Sequence, residues 1–172
     1  MSGQGHGRKL NAMIDFTVET TIDRPVPDVF AYATDPDKLS TWQTNTVSAR
    51  REGDGPYGLG SRLREVHRAP GGKELESVVE VVEYVPDRVF ALEVREGTPI
   101  HAHMTFDPAG AGTAVRFRAH GKLSGPMRII EPVVGRMVRK QFAEHVATLK
   151  RVLEAQTGAT GSPTAIRPGS ST

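Results

Sequence analysis

PMRIIEPVVGRMVRKQFAEHVATLKRVLEAQ, Pro126 to Gln156, is the longest helix-like pattern in the chain. Set at 3.6 residues per turn, Met127, Val134, Val138, Phe142, Val146, Leu149, Val152 and Leu153 share one stripe, with Arg136, Lys140, Glu144 and Arg151 off it. Ser124 suits a helix cap and Pro126 a first turn. Pro132 cannot donate an i→i−4 bond, so the pattern predicts a kink there or a long helix that starts near it. So long an amphipathic helix needs a large apolar surface to lie against.

The preceding segments offer one. Met13 to Ile22 alternates apolar and polar residues and reads as a strand. Arg24-Pro25-Val26-Pro27 launches a short helix through Val29, Phe30 and Ala33, and Asp35-Pro36 opens one or two further turns to Thr41. Trp42 to Arg51 reads as extended. Strands follow over Arg62 to Arg68, Lys73 to Tyr84, Arg88 to Arg95, Pro99 to Asp107 and Thr113 to Gly121, separated by Gly- and Pro-bearing turns. Such short links make neighbouring strands antiparallel. Residues 1–12 and 157–172 carry no apolar period and read as disordered tails around one domain at 13–156.

Composition narrows the function. Of 172 residues 37% are hydrophobic, net charge is +2 and the sequence pI is near 9.1, with no basic stripe interleaved with aromatics. Nucleic acid is therefore not an expected partner. The absence of cysteine removes thiolate nucleophiles, disulfides and Cys-ligated metals. No apolar run reaches membrane-spanning length and no leader is recognisable, which makes a cytoplasmic protein the expectation.

Four stretches, RPVPDVFAYATDPDKLSTW, GDGPYGLGSRLRE, VVEYVPDRVFALEV and FAEHVATLKRVLE, give the chain a resemblance to the START-like or polyketide cyclase/dehydrase (SRPBCC) superfamily over about Met13 to Gln156. The resemblance implies an α+β helix-grip fold. In it a curved seven-stranded antiparallel sheet wraps a long C-terminal helix, with two short helices between strands 1 and 2. It also implies that Trp42 lies near a pocket entrance. The superfamily includes lipid and steroid carriers and polyketide cyclases, so the fold leaves the activity open.

A curved sheet wrapped on one helix tends to enclose a cavity. Strand parity points Leu63, Glu65 and His67 inward, as it does Val79, Val81, Phe90, Leu92, Val94, Ile100, Ala102, Met104, Phe106, Val115, Phe117 and Ala119. Parity is least decisive in Glu74 to Tyr84, where both faces carry valines. From the helix, Val138, Gln141 and His145 face the same space. His145 interrupts the apolar stripe and is either a satisfied core histidine or a polar handle. Glu65 needs a partner such as His67 or an arginine, because a lone buried carboxylate is costly. Trp42, Leu63, Glu65, Phe90, Leu92, Met104, Phe117, Val138, Gln141 and His145 are the candidate ligand-binding residues.

Two readings follow. The first is a container for a small hydrophobic or aromatic molecule, such as a lipid or polyketide. The second is a cyclase/dehydrase-type enzyme using His145, Glu65 and His67 for acid–base chemistry. A third, an interaction protein with a vestigial pocket, stands beside them, and a homodimer is compatible with all three. No cofactor is expected. Gly53 to Gly58 satisfies G-x-G-x-x-G but contains Pro56 and precedes a strand, so it reads as a turn. His101, His103 and His120 resemble a metal set, yet they alternate against Ile100, Met104 and Phe106 and belong to the outer face, so no metal is expected.

Overall fold

Seven antiparallel strands form one sheet in the order β1-β7-β6-β5-β4-β3-β2, in a computed structural model that describes residues 12–69, 71–123 and 131–156. The strands are β1 Ala12–Ile22, β2 Thr46–Glu52, β3 Arg62–Arg68, β4 Glu74–Val85, β5 Val89–Glu96, β6 Ile100–Ala109 and β7 Gly112–Leu123. Between β1 and β2 lie α1 (Val26–Thr34), a 3-10 turn (Pro36–Lys38) and α2 (Leu39–Trp42); the last described element is α3 (Glu131–Ala155). This is the α+β helix-grip arrangement. The tails and residues 124–130, with Ser124, Pro126 and Met127, lie outside the described residues.

Local chemistry accounts for the element boundaries. Pro25 precedes α1 and Pro27 sits in its first turn, where the missing N–H costs no intrahelical bond. The Asp35 carboxylate accepts from the backbone N–H of Asp37 at 2.9 Å, capping the 3-10 turn. Pro132 is the second residue of α3, so the long helix starts beside it instead of kinking through it. The β4–β5 turn closes with Arg88 N–H donating to Val85 O at 3.0 Å, and Asp87 takes φ 60°.

The sheet bends at irregularities as well as by twist. Register slips occur between Thr46 and Ser48 against β3, and between Val78 and Val79 and between Val81 and Glu83 against β5. At the first β4 slip, adjacent Val78 and Val79 are both buried, which is why alternation fails in that strand. The concave face carries the core. Phe30 of α1 meets Tyr84 and Phe106 edge-on at 5.5 and 5.2 Å, and Phe142 of α3 stacks on Phe117 at 4.8 Å and meets Phe16 at 5.3 Å. The convex face carries ion pairs between strands, such as Asp15–Arg118 and Glu80–Arg95. His101 and His120 face each other there at 4.8 Å between rings, on the outer side that their alternation predicts.

The end of α3 is tied to the end of β1. Lys150 Nζ donates to Thr21 O and pairs with Glu154, while Glu154 Oε1 accepts from Asp23 N–H at 2.9 Å. The cavity described next lies against the earlier part of α3, from Val138 to His145.

Candidate functional site

Between the first half of α3 and the concave face lies a cavity of about 440 Å³, within the range of small-molecule sites. Its walls are mainly apolar: Phe90, Leu92, Met104 and Phe117 from the sheet, Val138 and Phe142 from α3, and Leu39 and Trp42 from α2. Parity explains the sheet wall, since Phe90 opposes Met104 on β5–β6 and Met104 opposes Phe117 on β6–β7. Three adjacent strands thereby present a continuous apolar surface.

Of the residues expected at the site, Trp42, Glu65, Phe90, Leu92, Met104, Phe117, Val138, Gln141 and His145 line this cavity, and so does His67. Leu63 does not. It has the inward parity of Glu65 but is fully buried in the core, sealed from the cavity two residues further along β3. Trp42 is 2% exposed and meets the His145 ring edge-on at 6.4 Å, so it packs as a buried wall.

A hydrogen-bonded group of polar side chains lies at the β2–β3 side. Glu65 is buried, and its Oε2 lies 3.0 Å from His67 Nε2. His67 Nδ1 lies 3.2 Å from Thr46 Oγ1, whose hydroxyl donates to Gln43 Oε1 at 2.8 Å. A hydroxyl has one proton, so with that proton on Gln43 the Thr46 oxygen accepts from His67 Nδ1–H. On its other side the ring faces the Glu65 carboxyl group through Nε2. The two side chains form a hydrogen-bonded acid–base pair, Glu65 buried and His67 half-buried, beside the apolar wall.

Gln43 and Thr46 were not legible as site residues. β2 pairs Ser48 with Val66, and the slip that follows skips Val47, bringing Thr46 opposite His67. Val47 is left partly exposed. Without the bulge, Val47 would face His67 and the chain of hydrogen bonds would not form. Periodicity gives no sign of a one-residue slip.

His145 behaves differently from His67. It is 2% exposed, packed between Trp42 and Phe142, and neither ring nitrogen has a hydrogen-bond partner among the described residues. It is therefore not a satisfied core histidine. Burial, with a smaller contribution from nearby His67, pushes its pKa down to about 4, so the ring is neutral near pH 7. Trp42 Nε1 and Asn45 Oδ1, on two other lining residues, are likewise buried without partners among the described residues.

At a second aromatic cluster, Tyr57 meets Tyr84 and Phe90, and burial raises its phenol pKa well above the ordinary value. Gly53 to Gly58, on the same loop, form a turn between β2 and β3 as expected. No helix among the described residues is long and apolar enough to cross a membrane, and no cluster of three or more His, Asp or Glu there is arranged to hold a metal.

Residues 13–154 match the family model described as polyketide cyclase / dehydrase and lipid transport. Among solved structures, the fold is similar to the di-domain ARO/CYC StfQ from the steffimycin biosynthetic pathway, with TM-score 0.72 and 15% identity over 86% of this chain and 52% of that one. It is similar to a Staphylococcus aureus protein of unknown function, with TM-score 0.71 and 14% identity over 87% of this chain and 98% of that one. A Thermus thermophilus protein gives TM-score 0.66 and 24% identity over 86% and 99% of the two chains. No curated protein matches.

Proposed function

This chain belongs to the polyketide cyclase / dehydrase and lipid transport family, and from that premise we propose that it encloses a small hydrophobic or aromatic molecule, a lipid, polyketide or similar compound, between its sheet and α3. One observation carries the reading: the 440 Å³ space under α3 has mainly apolar walls with a small number of polar side chains among them. Among the described residues the lining holds no lysine or arginine, which speaks against nucleic-acid phosphate as the occupant.

A neutral fluorescent probe, N-phenyl-1-naphthylamine, tests it. Binding should saturate at one probe per chain and quench Trp42, the single tryptophan, which forms part of the wall. Ala102→Phe adds bulk to the middle of the sheet wall and should abolish binding while the protein stays folded by circular dichroism. Undiminished probe affinity in that variant would place the binding elsewhere and sink the container reading.

The second reading, a cyclase/dehydrase-type enzyme, is favoured by the Glu65–His67 couple. In an intramolecular aldol cyclisation a base removes a proton alpha to one carbonyl, and the new carbon–carbon bond turns a second carbonyl into an alcohol that takes up a proton. Loss of water then needs that oxygen protonated and a neighbouring C–H proton removed. A hydrogen-bonded carboxyl–imidazole couple beside an apolar wall is suited to such exchanges. Glu65→Gln should then abolish turnover of a poly-β-ketone substrate and leave probe affinity unchanged; equal turnover in this variant would exclude the couple from catalysis.

A further inference from the structure

Along three neighbouring strands the cavity lining has the same extent. On β4 it runs from Leu75 to Val79, on β5 from Val94 to Phe90 and on β6 from Ile100 to Met104, four residue steps each time. Burial follows the same direction. Leu75 is exposed and Val94 and Ile100 are half-buried, whereas Val79, Phe90 and Met104 are buried. The open end is therefore the one beside the exposed Gly97 and Thr98 of the β5–β6 turn. Past the buried end, the next side chains of that face on β4 and β6, Val81 and Phe106, belong to the core and not to the lining. Phe30 of α1 meets Phe106 there at 5.2 Å between rings, and Ala33, one turn further along α1, lines the cavity. Its methyl group is the smallest of the buried lining side chains.

Two measures bound the occupant. Four strand steps of about 3.3 Å make the lining no deeper than about 13 Å. An extended chain advances about 3.4 Å for every three bonds, so roughly eleven bonds fill that depth. Volume gives a similar ceiling. A dry cavity of about 150 Å³ accepts one benzene, so 440 Å³ corresponds to about three such bodies. A three-ring aromatic or one chain of about twelve carbons fits these limits, whereas a sterol with its side chain or a two-chain lipid exceeds them. Resting on the container reading, we propose that the cavity admits a single-chain or three-ring body and excludes sterols and two-chain lipids, with Ala33 as the residue that sets its depth.

Calorimetry on the full chain at pH 7.5 tests this with the even-numbered straight-chain carboxylates from hexanoate to hexadecanoate, each below its micelle concentration. The readout is the ratio between successive lengths, so the shared head group cancels. Up to dodecanoate each two added carbons should tighten binding roughly tenfold. From tetradecanoate to hexadecanoate the gain should fall below about twofold, because the added carbons stay in water. Ala33→Leu adds bulk at the closed end and should move the break to chains about two carbons shorter, with hexanoate and octanoate binding as before. Where that variant folds poorly, Ala33→Val makes the same test in a smaller step. A break that stays in place, or equal weakening at every length, removes Ala33 from the proposal. The wild-type series needs no variant: a tenfold gain that continues to hexadecanoate overturns the size limit. So does one cholesterol or phospholipid per chain in mass spectra of protein re-isolated from dioleoylphosphatidylcholine–cholesterol vesicles. If no carboxylate binds but N-phenyl-1-naphthylamine does, the proposal fails and the container reading stands. If neither binds, the container reading itself fails.

Discussion

In the last turns of α3, Val146, Leu149 and Leu153 are each 1% exposed or less, whereas on the same stripe nearer its start Val138 and Phe142 are half-buried and line the cavity. One helix thus behaves as two. From Val146 onward it is a core element, its end fastened to β1 through Lys150 and Glu154. Up to Phe142 it is a wall, with Val138, Gln141 and Phe142 facing the cavity. His145 stands at the join, enclosed like the core half and polar like the cavity. Stability and cavity volume are therefore supplied by different turns of the same helix, and a change in one half need not be felt in the other.

The largest effect expected is from Leu149→Ala, which empties a fully buried site and should cost about 2–5 kcal/mol in urea unfolding. Val138→Ala, made in the wall half, should cost about 1 kcal/mol or less while changing ligand affinity, because a partly exposed valine beside an existing cavity loses little packing. Similar costs for the two variants would break the division between halves.

His145 sharpens the comparison through pH. Its folded pKa, about 4, lies below the ordinary 6.5, so the unfolded chain takes up the proton first. The associated stability is full above about pH 6.5 and is lost as pH falls toward 4, by on the order of 3 kcal/mol. His145→Leu should flatten that part of the stability profile and hold or raise stability at pH 7.5. A variant whose acid sensitivity matches the parent's would place the sensitivity in other groups.

The smallest effect should come from Glu154→Gln. It weakens the ion pair with Lys150 and the bond from Asp23 N–H at a solvated site. Its melting temperature should fall by less than that of Val138→Ala. A larger fall would mean that the end of α3 is held chiefly by this clasp, with burial of Leu149 and Leu153 secondary.

Fold and site differed in how far they could be read from residues. Strand parity is readable in β5, β6 and β7 because one face is plainly polar: His101, His103 and Thr105 alternate with Ala102, Met104 and Phe106. It is unreadable in β4, where register slips bury Val78 and Val79 together. Leu63 shows a different limit. Parity names the face of a residue but not whether other core side chains cover it. His145 was visible because it breaks an apolar period. Its isolation from partners was not, since that depends on what surrounds it in space. The Gln43–Thr46–His67–Glu65 chain depends on a bulge that no residue type announces.

That bulge has a consequence for the company the protein keeps in a crowded solution. β2 is an outer strand of the sheet, and an outer strand presents a row of backbone groups that can template an unrelated extended chain. The slip between Thr46 and Ser48 interrupts the straight run of such groups, and Arg50, Arg51 and Glu52 fill the remainder with exposed charge. A passing strand meets a broken register and three ionic side chains that it would have to desolvate. The irregularity that places Thr46 beside His67 thus also protects the protein against aggregation along this edge.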